Sequence, residues 1–126
     1  MPRDAAAYLS EIVEACDSIE SILSGVTLEG YVASREKRSA IEREFILIGE
    51  ATVQLHRVAP GLCGRLSHGQ LAIGMRNVLT HDYVSVDHES VFETALEDAP
   101  RFRQECTDLL KELRGDEVNR AGTGAD

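Results

Sequence analysis

Arg76, Asn77, His81 and Tyr83 fall within eight residues, Arg76-Asn77-Val78-Leu79-Thr80-His81-Asp82-Tyr83. An arginine can fork two N–H groups onto a phosphate, and a histidine can move a proton near neutral pH. Those are two requirements for breaking a phosphodiester without a metal. Attack by an RNA 2′-hydroxyl needs a base for that hydroxyl and an acid for the leaving 5′-oxygen. The octet offers one imidazole. A two-fold dimer that duplicates Arg76 and His81 across its axis would supply the second. The two rings would then titrate as a coupled pair, one neutral and one protonated.

Spacing decides which of these groups can meet. On a helix, Asn77 and His81 are four apart and share a face, so the amide can bond the imidazole and orient it. Arg76 and Tyr83 would share a face if the helix continued. Arg76 and His81 stand about 140° apart around an ideal helix. They converge only if the helix ends or bends before His81, or if the histidine comes from another subunit. Arginine followed by histidine five later is weak evidence alone. Adding the asparagine and the tyrosine lowers the chance occurrence to below about one in a thousand.

Each residue also has a plainer reading. Arg76 could pair with Asp82 or another carboxylate. His81 could simply suit a helix C-terminus, where the dipole favours a cation. Asn77 could bond locally, and Tyr83 could pack with its hydroxyl at the surface. His56, His68 and His88 fall at expected helix ends and read as solvated. Glu50 reads as an exposed helix residue, and Gly49 as a place where another helix can come close. Arg35, Lys37, Arg38 and Arg43 form the main basic concentration. Such a cluster is more often a solvated face than an RNA track, yet it is the best candidate for a second RNA contact.

Composition bounds the rest. A chain of 126 residues, 43% hydrophobic and 5% aromatic with no tryptophan, suits one helical domain packed through aliphatic side chains. No apolar stretch reaches the length of a membrane span, and the N-terminus lacks the apolar core of a signal peptide. A cytoplasmic protein with no membrane contact is expected. Cys16, Cys63 and Cys106 are isolated, without zinc-ligand spacing, and read as reduced and buried. Neither metal nor cofactor is expected. The net charge of −9 counts against general nucleic-acid binding, which draws its affinity from a basic face. Any RNA chemistry must sit in a locally positive cleft, and the acidic remainder suits a basic partner.

The positioning elements follow from periodicity. Apolar residues from Ala5 to Leu23 recur at 3-4 spacing after Asp4, and Gly25 is a plausible stop. A second helix is expected over about Tyr31 to Val58, with Ile41, Phe45, Ile48, Thr52 and Leu55 inward and Pro60-Gly61 beyond its end. Residues 59–66 read as a loop. Ser67 and Gln70 then read as a capping box for a third helix, His68 to Thr80, burying Leu71, Met75, Val78 and Leu79. After a short link capped by Asp87, helical period persists through Phe92, Leu96, Ala99, Phe102, Cys106, Leu109 and Leu113. Pro100 predicts a kink there, or two short helices. Gly115 is the expected stop, leaving 1–114 as one domain and 115–126 as a flexible polar tail. The fold class is all-α, an up-and-down bundle of four to five helices.

The octet resembles the Arg-x4-His-x-Tyr signature of the HEPN superfamily, specifically the HepT-like toxins. Ile48-Gly49-Glu50-Ala51, Met75 and Val86-Asp87 agree with it, and the likeness covers about residues 4–113. The resemblance implies a homodimeric ribonuclease toxin of a type VII-like toxin–antitoxin system, acting on RNA such as a tRNA or an mRNA. It also implies a cognate minimal nucleotidyltransferase antitoxin that neutralises the toxin by AMPylation of Tyr83. By position, Arg76 and His81 would be catalytic and Asn77 supporting. The competing expectation is a non-catalytic helical module that docks a nucleotidyltransferase as its substrate or accessory subunit.

Overall fold

A computed structural model describes residues 3–124, with side chains from Arg3 to Gly115. Among the described residues the chain is all-helical: α1 (Ala5–Leu23), α2 (Leu28–Ala33), α3 (Arg35–Val58), α4 (Pro60–Cys63), α5 (Gly69–His81), a 3-10 turn (Tyr83–Ser85) and α6 (His88–Gly124). The long helices pack in the spatial order α5, α3, α1, α6. Helix α1 starts where the Asp4 carboxylate accepts the Ala7 amide at 2.9 Å, and Gly25 turns the chain after it at φ 73°. Only glycine takes that conformation without strain. Its Leu9, Ile12, Cys16 and Ile19 face is buried. The expected inward stripe of α3 is buried in full, and Thr52 survives there because its hydroxyl donates to the Ile48 carbonyl at 2.7 Å.

Several expected boundaries are corrected. The helix foreseen from Tyr31 to Val58 is two helices, because Ser34 leaves the helical region and caps α3, its hydroxyl accepting the Lys37 amide at 3.1 Å. The loop of 59–66 contains the one-turn α4, which begins on Pro60, where a missing amide costs nothing. Ser67 is not the N-cap of α5. His68 holds that position without a side-chain bond, and the carboxylate of Glu105 on α6 supplies the acceptors. It takes the Ser67 amide at 2.9 Å, the Ser67 hydroxyl at 2.7 Å and the His68 amide at 3.3 Å. His68 itself is not free in solvent, since its Nδ1 lies 2.8 Å from Glu105.

Helix α6 is continuous across Pro100, so the expected division into two helices does not occur. It also runs through Gly115 to Gly124, where a tail was expected; side chains from 116 on, and residues 125 and 126, lie outside the described residues. Its buried seam is Phe92, Ala95, Ala99, Phe102, Cys106 and Leu109. The small Ala95 takes the place expected for Leu96, which is exposed. On α5, Leu79 is buried as expected, but Leu71 and Val78 are 43% and 37% exposed and Met75 is half-buried. That apolar stripe borders a groove shared with Val86 and Val91 and with Asp87, which caps α6. Among the described residues no helix is long and apolar enough to cross a membrane.

Candidate active site

Helix α3 is the template for the octet. A Cβ added to Gly49 would lie 2.2 Å from the Cβ of Arg76, so only glycine lets α5 come this close to α3. That approach seats the Arg76 guanidinium on the next residue, Glu50. Its Nε donates to Glu50 Oε1 at 2.8 Å, and its Nη2 stands 2.7 Å from the same oxygen. Nη1 donates to the Asn77 Oδ1 at 2.7 Å. The partner of Arg76 is therefore Glu50, not Asp82, and Asn77 orients the guanidinium, where a bond to His81 was expected. A guanidinium carries five N–H donors. Glu50 and Asn77 engage one on each nitrogen, which leaves one on Nη1 and one on Nη2 for an incoming anion.

His81 is the last residue of α5 and is exposed. The helix runs unbroken through it, and the Asp82 amide still bonds the Val78 carbonyl at 3.0 Å. Arg76 and His81 thus remain about 140° apart around one axis, and a helix ending before His81 is ruled out. His81 lies one turn beyond Val78, beside the exposed apolar stripe. Past Asp82 the chain tightens into the 3-10 turn, so Tyr83 leaves the helix and turns to α3. Its hydroxyl donates to Glu42, 3.1 Å from Oε1 and 3.4 Å from Oε2. That bond, followed by partial burial and the charge of Glu42, raises the phenol above its usual pKa, while Arg38 and Arg35 oppose the shift. Arg76 and Tyr83 are thus clasped by glutamates eight residues apart on α3, about 12 Å along its axis.

The four basic residues do not form one track. Arg38 turns inward, its Nη1 3.2 Å from His88 Nε2. Arg35 and Arg43 are exposed, and Lys37 lies about 160° around α3 from Arg35. Of the other histidines, His56 is exposed and His88 is half-buried against Arg38 and Glu42. Sequence reasoning missed Glu42 and the pairing of Glu50. The visible signal was Glu42 beside the inward stripe, seven residues before Gly49. All three cysteines are free and buried. Among the described residues no group of three or more His, Cys, Asp or Glu side chains is placed to hold a metal ion.

Residues 69–109, which contain Arg76, Asn77, His81 and Tyr83, match the family Ribonuclease HepT-like. Two proteins of Methanocaldococcus jannaschii, each provisionally named an RNase, resemble the chain along most of its length. One is 29% identical over 117 residues, 93% of this chain and 96% of the relative, and the other 29% over 111 residues, 88% and 95%. A protein of Thermococcus cleftensis provisionally named ribonuclease HepT is 28% identical over 111 residues, 88% of this chain and 100% of its own length. No solved structure matches. The part of the chain that carries the octet is thus similar to a family of ribonucleases, and relatives that align along most of the chain carry ribonuclease names.

Proposed function

We propose that this protein is an endoribonuclease that cleaves RNA by attack of a 2′-hydroxyl, independently of metal, at a site completed by a second copy of the chain. The observation that carries this reading is the unbroken course of α5 through His81. One protomer keeps its guanidinium and imidazole on different sides of a helix, and the exposed stripe of Leu71 and Val78 beside His81 offers a face on which a second α5 can pack. In such a pair one neutral imidazole takes the 2′-hydroxyl proton and one imidazolium protonates the 5′-oxygen. The two free N–H groups of Arg76 bind the phosphate as its charge grows.

The same reading makes the protein the toxin of a toxin–antitoxin pair, neutralised when a nucleotidyltransferase adenylylates Tyr83. An exposed phenol close to Arg35 and Arg38 supports it, because an added phosphodiester would bring bulk and negative charge to the mouth of the site. Replacing His81 by alanine is expected to abolish cleavage of an RNA oligonucleotide and growth inhibition while the protein stays folded and dimeric. An H81A protein that cleaves at the wild-type rate, or a wild-type protein that is monomeric by light scattering at assay concentration, overturns the proposal. The chain's net charge of −9 favours the alternative of a non-catalytic module docked on a basic nucleotidyltransferase. Modification of Tyr83 in a protein with no RNase activity of its own would decide for that reading.

A further inference from the structure

Behind Tyr83 lies a polar cluster that the cleavage chemistry leaves unused. Glu42 is only 7% exposed, an unusual place for a carboxylate. Among the described residues its hydrogen bonds go to Tyr83 alone. On its inner side, Oε2 lies 3.8 Å from His88 Nδ1, and His88 Nε2 receives Arg38 Nη1 at 3.2 Å. Arginine can only donate, so Nε2 is the bare nitrogen. The other ring nitrogen, Nδ1, is buried and faces Glu42 without a hydrogen bond of its own. The fully buried Tyr31 also feels the charge of Glu42, and its hydroxyl has no partner. One carboxylate of α3 thus faces side chains of α2 and α6 and bonds outward to Tyr83.

What it holds is an exposed turn. The turn Tyr83–Ser85 contains no buried residue, and Val84 at its centre is 98% exposed. The next apolar contact with the core comes only at Val86, after the turn, so among the described residues the phenol–carboxylate bond is the side-chain tie of Tyr83–Ser85 to α3. We infer that Glu42 is a positioning residue for the ribonuclease site: by holding the Tyr83 hydroxyl against α3 it fixes the exit of α5, and with it the pose of His81 two residues upstream. Arg38 and His88 are the support that keeps Glu42 aimed outward. The inference rests on His81 acting as the proton-transfer group.

The test is a cycle of variants on the purified full chain, with cleavage of an RNA oligonucleotide as the first readout. Glu42→Ala and Tyr83→Phe are each expected to lower kcat about tenfold with KM changed less than about twofold, since a misplacement near 1 Å is enough for such a loss. The double variant should lose no more than either single one, because both remove the same bond. Glu42→Gln keeps an acceptor oxygen and should recover most of the rate. Losses that multiply, full activity in E42A, or E42Q no better than E42A would overturn the inference. Tyr83 is half-exposed, so Y83F stays informative even if E42A folds poorly.

The pose of His81 is read separately from activity, as its imidazole resonance in carbon-13 NMR spectra. Matching shifts in E42A and Y83F, smaller in E42Q, support the clamp, and an unmoved resonance overturns it. Should the wild type cleave no RNA while those shifts are seen, the ribonuclease reading fails and the clamp stands.

Discussion

Replacing Gly49 by alanine adds one methyl group at the contact between α3 and α5. The new carbon would sit 2.2 Å from Arg76 Cβ, 2.8 Å from Arg76 Cγ and 2.9 Å from the Ala72 carbonyl oxygen. Carbon atoms rest at about 3.5–4.0 Å, so α3 and α5 must separate by roughly 1.3 Å or more. No rotamer of Arg76 relieves this, because its Cβ is fixed by the backbone. Overpacking of this kind costs about 1–3 kcal/mol, whereas alanine in place of glycine within a helix gains about 1 kcal/mol. A net loss of about 0–2 kcal/mol is expected. The guanidinium moves with its helix, and a displacement near 1 Å can lower kcat by about a hundredfold. Urea denaturation followed by circular dichroism measures the first effect, and oligonucleotide cleavage the second. Gly74→Ala is the control: nothing lies within 4 Å of the added carbon, so a gain of about 0.5–1 kcal/mol is expected there. If Gly49→Ala is as stable as Gly74→Ala and cleaves at the wild-type rate, the close approach of α3 and α5 does not exist as described.

Two further outcomes can be checked. Glu50→Ala should cost less than about 1 kcal/mol of stability, because the pair with Arg76 is partly solvated. It should nevertheless reduce kcat/KM by about tenfold as the guanidinium loses its anchor. A variant that melts early but cleaves normally contradicts that role. Stability should fall steadily in alkali. Burial, then the charge of Asp17, pushes the Cys16 thiol up from 9.0 to about 12, with Arg103 opposing, and burial also raises Cys106. The unfolded chain releases these protons first, so the contribution is complete below about pH 9 and is lost as pH rises towards 12, on the order of 4 kcal/mol for Cys16. Denaturation curves between pH 8 and 11 should show this slope, shallower in Cys16→Ala; parallel slopes would refute it.

Much of the fold was legible because α1 and α3 carry uninterrupted apolar stripes, and burial of those stripes leaves little choice. The break at Ser34 was hidden because no glycine or proline marks it; a serine that caps one helix while ending another looks like any polar helix residue. Leu96 was misplaced because Leu96 and Ala95 both satisfy helical spacing, and packing chose the smaller side chain. At the site, the octet could be read from local spacing, but its partners could not. Glu50 lies 26 residues from Arg76 and Glu42 lies 41 from Tyr83, so nothing along the chain links them. Only the crossing of α3 with α5 does.

The carboxylate of Glu105 reaches back 38 residues to receive the amide of Ser67, and His88 on the same final helix stands behind Glu42. Both ends of the segment bearing Arg76 and His81 therefore lean on α6, which follows them in the chain. Translation delivers these two side chains before the helix that supports them, so their pose is set only once α6 has emerged and docked.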